Sequence, residues 1–150
     1  METDLSYSIR RLTTEDGPHL EILRRAYAAE MCDAEDEGEP NGFAATLLSE
    51  PNVHGWGAFI NGNLVAFAIV FRLPEAISGR WCGLLDDLFV APDARRQGIA
   101  QDLLDTVANY GKEQCWTHLR WLVPENDMPA IALYERVAEE APWRSFMICY

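Results

Sequence analysis

Apolar positions along the chain change period repeatedly, and each change marks an element. Tyr7 to Leu12 alternates loosely among β-formers and predicts a first strand. Thr13 or Thr14 can cap the helix that follows, in which Leu20, Leu23, Tyr27 and Met31 recur at helical spacing as far as about Met31. Phe43 to Leu48 predicts a second, short helix stopped by Pro51. Gly55 to Ile60 and Leu64 to Leu73 are strand-like runs joined by Asn61-Gly62-Asn63, a strong hairpin turn signal. Trp81 to Val90 predicts the next strand, and Ile99, Leu103 and Val107, with Ala100, Leu104 and Ala108 beside them, give the following helix an apolar stripe that ends near Gly111. Leu119 to Val123 reads as a short strand halted by Pro124. Asn126 or Asp127 then caps a helix whose apolar face is Ala130, Leu133, Tyr134, Val137 and Ala138, and Trp143 to Tyr150 predicts a last strand.

Strands and helices alternating in this way, with no repeat, linker or low-complexity stretch, predict one mixed α/β domain over residues 1–150. The length suits one core, and an apolar share of 49% lies well outside the disordered class. No run approaches a membrane span and the N-terminus lacks an apolar signal core, so a soluble cytoplasmic protein is expected. Cys32, Cys82, Cys115 and Cys149 are scattered without metal-ligand or disulfide spacing, and neither a metal site nor a cystine framework is expected. A net charge of -12 argues against nucleic acid and favours cationic ligands over anionic ones.

Against that acidic background the pair Arg95-Arg96 stands out. It lies in a turn, Arg95-Arg96-Gln97-Gly98-Ile99-Ala100, between a strand end and a helix start. The first N–H groups of a helix have no intrahelical partner and sit at the positive end of its dipole, so such a turn is an anion site. Gly98 lets the backbone approach a ligand, and Ala100 keeps the helix entrance small. Upstream, Asp86 and Asp87 occupy the interior of an otherwise apolar strand, where carboxylates are costly to bury. The run from Cys32 to Pro40 is also acidic; it reads as a solvated loop or, alternatively, as an amine-binding lip carrying Glu35 and Asp36.

The string LDDLFVAPDARRQGIAQDLL, followed by END-x-x-AIALYERVA, resembles the GNAT superfamily of acetyl-CoA-dependent N-acetyltransferases. Within it, LDDLFV, LRWLVPEND and LYERVAEEAPWRSF are most similar to the polyamine, diamine and histone-type amine acetyltransferases. The resemblance implies a mixed, mostly antiparallel sheet of about six strands flanked by about four helices and splayed at the cofactor site. It places a [RQ]-x-x-G-x-[GA] pyrophosphate turn on Arg95, Gly98 and Ala100, with N–H groups from Arg96 through Gln97, Gly98 and Ile99 to Ala100 as donors and the Arg95 and Arg96 side chains adding charge. Backbone near Leu88, Phe89 and Val90 would meet the thioester carbonyl of acetyl-CoA. Tyr134 is implied as the general acid for the departing thiolate, and Asp86 as the base and ammonium anchor, with Asp87 beside it on the opposite strand face unless a bulge re-aims it.

Two positions depart from the family pattern. The usual Asn, seven residues before the helix Tyr, is replaced by Asp127, with Asn126 one residue earlier, and both are candidates for the cofactor contact. The usual Gly-Phe after the last helix is missing, which predicts a shortened C-terminal hairpin completed by a partner subunit, hence a homodimer. Trp56, Trp81 and Trp121 are either core residues or walls of an amine pocket, and Trp56 is carried forward as a substrate contact. His19, His54 and His118 read as structural or solvated. The expected activity is acetyl transfer to a polyamine, diamine, amino-acid-like amine or lysine side chain. Rival readings are a protein N-terminus or aminoglycoside as acceptor, and a coenzyme A-binding module without activity.

Overall fold

One antiparallel ribbon supplies four of the five strands found among the described residues. A computed structural model describes residues 6–32 and 42–150. In chain order it contains β1 (Ser8–Arg11), α1 (Gly17–Cys32), α2 (Phe43–Ser49), β2 (Val53–Ile60), β3 (Asn63–Glu75), β4 (Arg80–Val90), α3 (Ile99–Glu113), β5 (Leu119–Arg120) and α4 (Met128–Val137). Strand order in the sheet follows chain order; β1 to β4 are antiparallel neighbours and β5 joins β4 in parallel. This is the mixed, mostly antiparallel sheet flanked by four helices that the resemblance implies, one strand short of the expected count among the described residues.

Local chemistry explains most boundaries. Asn61 and Gly62 both adopt left-handed backbone, at φ 50 and 79°, which gives the two-residue hairpin turn that pairs Ile60 with Asn63. Asp16 accepts from the Thr13 N–H at 2.8 Å and from both terminal nitrogens of Arg10 at 2.9 Å, fixing the end of β1 to the start of the first helical segment. The Arg10 bond, with the backbone donor behind it, holds the Asp16 carboxyl down at about 2. Glu21 of α1 is buried and takes hydrogen bonds from Arg24, at 2.6 Å, and from the Ala44 N–H at the start of α2, at 3.0 Å. A carboxylate on one helix therefore caps the next, whose own cap residue, Gly42, offers no side chain.

The sheet separates two cores. On one face α3 contributes Ile99, Leu103, Leu104 and Val107 against Trp56, Ala58, Ala66, Ala68, Val70, Leu85 and Val90. On the other, Leu20 of α1 and Ala44 of α2 pack with Leu12, Phe67, Ile69 and Phe89. The α3 helix ends at Glu113, near Gly111 as expected, and that glycine also marks a close approach. Trp116 is wedged between helix and sheet, and a Cβ would lie 2.7 Å from its ring at Gly111 and 2.4 Å at Gly83 of β4.

The C-terminal expectations are corrected. Of the strand expected from Leu119 to Val123, only Leu119 and Arg120 pair, with Gly83 and Leu84; the separation comes two residues before an irregularity in β4. The strand expected from Trp143 to Tyr150 does not form. That stretch is irregular and exposes Trp143, Phe146, Met147 and Ile148, since a strand needs a ladder partner and β5 offers only two residues on the edge of the sheet.

Gly83→Ala forces the Trp116 ring to move and is expected to cost about 1–3 kcal/mol. Urea unfolding of this variant beside the wild type measures the loss; an unchanged midpoint would show that Trp116 is not held between the two glycines.

Candidate functional site

The alternation of β4 is broken once. Ile69 of β3 pairs with Asp87 whereas Val70 pairs with Leu85, leaving Asp86 as the extra residue of a bulge. Neighbours in a regular strand point to opposite faces; the bulge cancels one alternation. Asp86 and Asp87 accordingly both line one cavity of about 500 Å³ between the sheet, α1 and α2. The remaining lining comes from α1 (Leu20, Arg24, Tyr27, Ala28, Met31), α2 (Phe43, Leu47) and β3 (Phe67, Ile69, Phe71).

The two carboxyls differ. Asp86 is exposed and Asp87 half-buried. Burial first, then the charge of Asp86 and a hydrogen bond between the pair, pushes the Asp87 carboxyl up from 3.8 to about 6. Arg24 and the Tyr27 hydroxyl pull the other way. Tyr27 is itself pushed up to about 12, by burial and then by the charge of Asp87, with Tyr134, Asp127 and Asp86 also acting on it. Sequence periodicity placed Tyr27 among core positions, and its ring does pack on Phe89 and Phe67 at 5.1 and 6.4 Å between centroids. Its hydroxyl is the part that reasoning missed; the available signal was a phenol on a stripe otherwise made of Leu and Met.

Tyr134 stands on α4, half-buried, edge-on to Trp121 at 5.3 Å. Burial, then Asp127, raises its pKa and keeps the phenol protonated at neutral pH. Asp127 is the N-cap of α4, its carboxylate accepting from the Ala130 N–H at 3.2 Å, while Asn126 is exposed. The capping contact occupies Asp127 and leaves Asn126 as the amide facing solvent.

Beyond β4 the backbone turns left-handed at Arg96, φ 65°, and again at Gly98, φ 82°. Gly98 caps α3 without a side chain, so the first N–H groups of that helix meet no capping side chain. A Cβ on Gly98 would find open space, with the Tyr7 hydroxyl 3.9 Å away; backbone conformation rather than crowding demands glycine there. Ile99 is buried in the α3 core, Gln97 and Ala100 are half-buried, and Arg96 is exposed. Leu88 is half-buried and Phe89 and Val90 buried, so a ligand would meet their backbone, along the stretch of β4 that β5 has already left.

Two expected contacts, Arg95 and Trp56, do not join this group. Arg95 points its guanidinium away from the turn, donating to the Val90 carbonyl at 2.9 Å and to the Glu30 carboxylate at 2.7 and 2.9 Å. It ties the end of β4 to α1, an anchor where a phosphate contact was expected. Trp56 lies on the α3 face of the sheet, buried beneath the Arg11 guanidinium at 4.4 Å and against Tyr110, and does not line the cavity. Glu35 and Asp36 fall outside the described residues. Cys82 is buried and Cys115 and Cys149 are exposed free thiols. No three His, Cys, Asp or Glu side chains among the described residues are grouped to hold a metal, and no described helix is long and apolar enough to cross a membrane.

Residues 9–138 match the sequence model of the acetyltransferase (GNAT) family. The chain belongs to that family. Members of the family use acetyl-CoA, and the left-handed turn, the helix start and the unpaired edge of β4 suit its diphosphate and pantetheine arm. A ribosomal-protein-alanine N-acetyltransferase from Brucella melitensis biovar Abortus 2308 superimposes with a TM-score of 0.82 at 30% identity, over 97% of this chain and 100% of that one. The aminoglycoside acetyltransferase meta-AAC0020 from an uncultured soil metagenomic sample, in its sisomicin complex, shares the fold at TM-score 0.83 and 20% identity, over 99% and 98% of the two chains. A thialysine N-epsilon-acetyltransferase of Caenorhabditis elegans is 29% identical over 85 residues, 57% of this chain and 52% of the relative, so the match spans about half the length of that protein.

For this GNAT acetyltransferase the raised Asp87 pKa fixes the sign of a stability change. The folded state holds the Asp87 proton more tightly than the unfolded chain, so its contribution is full below pH 3.8 and is lost as pH rises through about 6. Asp87→Asn is expected to raise the melting temperature at pH 8 by about 2–4 °C, discounted for the solvent-facing part of the site, and to change it little at pH 4. Calorimetric melts at the two pH values check this; equal shifts at both would remove burial of the Asp87 charge as the cause.

Proposed function

We propose that this acetyltransferase carries the acetyl group of acetyl-CoA to a primary amine by direct attack in a ternary complex. The observation that carries the reading is the bulge that aims two adjacent carboxyls into one cavity beside the unpaired edge of β4. An alkyl ammonium with a pKa near 10 must lose a proton before it can attack. Asp87, rather than the Asp86 favoured by position in sequence, is the proposed proton acceptor. Its carboxyl, raised to about 6 by burial, is a stronger base than an ordinary carboxylate and is still ionised at neutral pH. Asp86, exposed at the cavity, supplies the counter-charge that holds the ammonium in place.

Acetyl-CoA, when bound, supplies an activated acyl thioester. Backbone N–H groups of Arg96 to Ala100 are proposed to hold its diphosphate, and backbone of Leu88 to Val90 to orient the carbonyl. Asn126, on the solvent side of the α4 cap, is the proposed pantetheine contact. The Tyr134 hydroxyl, kept protonated by burial, donates a proton at the sulfur as it departs. The C. elegans relative, named for transfer to a side-chain amine of thialysine, supports an amine acceptor. The same reading places the enzyme in the cytoplasm, in keeping with its acidic surface, and as a homodimer, for which the exposed apolar side chains from Trp143 onward speak.

Thiol release from acetyl-CoA with a panel of primary amines tests the transfer. Asp87→Asn is expected to lower kcat by about 10²–10⁴-fold and to erase an ascending limb centred near pH 6, with a smaller loss for Tyr134→Phe. Gly98→Val, strained at positive φ, is expected to abolish thermal stabilisation by acetyl-CoA. Stabilisation by acetyl-CoA with no turnover on any amine would replace the transferase reading with a binding module.

A further inference from the structure

One face of α1 lines the cavity, where Arg24 and Tyr27 lie one helical turn apart on the same wall. The Tyr27 ring rests on a cross-strand pair. Phe67 of β3 and Phe89 of β4 are partners in the ladder, and both pack against that ring, at 6.4 and 5.1 Å between centroids. The next pair on this face of the sheet is Ile69 with Asp87, two residues or about 6.6 Å back along β4. A phenol seated on Phe89 spans that step, and its hydroxyl donates to the Asp87 carboxylate. We infer, on the amine-transfer reading above, that Tyr27 is a positioning residue for the reaction: from the α1 wall it anchors the carboxylate of the proposed proton acceptor, Asp87. A carboxylate at a bulge, beside a second one, keeps a single orientation toward an amine only if a fixed donor holds it. The kind of donor also matters. Arg10 binds Asp16 of this same chain and takes its carboxyl down to about 2, which makes a weak base. A phenol gives Asp87 a hydrogen bond without a positive charge, and that carboxyl stays at about 6. Among the described residues, Asp86 raises the Asp87 carboxyl and Arg24, bound to Glu21 at 2.6 and 3.2 Å, lowers it through its charge. Asp127 and Tyr134 act on the phenol, which is pushed up to about 12 and so remains a donor at every working pH.

Tyr27→Phe keeps the ring and removes the donor. With a primary amine as acceptor, the ascending limb of kcat/KM against pH is expected to move up from about 6 by roughly one unit, since losing a hydrogen bond to the carboxylate disfavours its charged form. Placing 3-fluorotyrosine at position 27, whose more acidic hydroxyl is a stronger donor, is expected to move the limb down. A ring that merely fills space would move it in neither protein. Carbon NMR titration of the Asp87 carboxyl in the wild type and in both variants reads the same shifts without turnover, and the fluorotyrosine protein carries the comparison where the Phe variant does not fold. Opposite displacements in the two variants support the anchor. An Asp87 titration identical to that of the wild type in the folded variants, or a limb that stays in place while the enzyme is active, would overturn it. Displaced titrations in proteins that acetylate no amine would uphold the anchor and count against acetyl transfer alone.

Discussion

Two consecutive carboxylates can share one side of a strand only where the alternation of that strand is broken. The bulge at Asp86 meets this condition, and much else in the molecule is arranged around it. β3 pairs with β4 on both sides of it, in registers that differ by one residue, and so confines the disturbance to Asp86. Just before it, β5 stops pairing, and the edge of β4 that leads to the left-handed turn is left to meet a ligand. The acid pair and the open edge are therefore successive parts of β4, and the left-handed turn follows its end, in the order that the proposed places of an acetyl group, a pantetheine arm and a diphosphate would require.

Bringing the acids together is unfavourable for the fold. The repulsion and burial at Asp87 are only partly relieved by Arg24 and Tyr27, as its raised pKa records. Stability comes instead from contacts that do no chemistry: the α3 core, Trp116 between its two glycines, and Asp16 bound to Arg10. Arg95 belongs with these. Its bonds to Val90 and Glu30 hold the end of β4 against α1, so the turn is aimed by a side chain that does not touch what the turn would hold.

Much of this is legible in the residues. Periodicity and turn chemistry place α1 to α4, the Asn61-Gly62 hairpin and the long strands, because those elements are fixed by local pattern. The pattern LDDLFV followed by the Arg95 to Ala100 turn identifies the family. What it does not carry is information about pairs distant in sequence. Whether Asp87 joins Asp86 depends on register with Ile69 and Val70; whether Arg95 faces a ligand depends on Glu30, sixty-five residues earlier. Trp56 is assigned to a face of the sheet only once β2 is in register with β3, and Trp143 to Tyr150 has the composition of a strand but no partner to pair with.

The cap that Glu21 places on α2 has a consequence for how this protein can change. Two helices that wall the cavity are fastened to each other by a carboxylate and an amide. Side chains that line the cavity can then be exchanged, and new acceptors explored, while the two walls stay where they are. The fastening is a clamp between scaffolds, and it separates the part of the enzyme that must hold still from the part that evolution can rewrite.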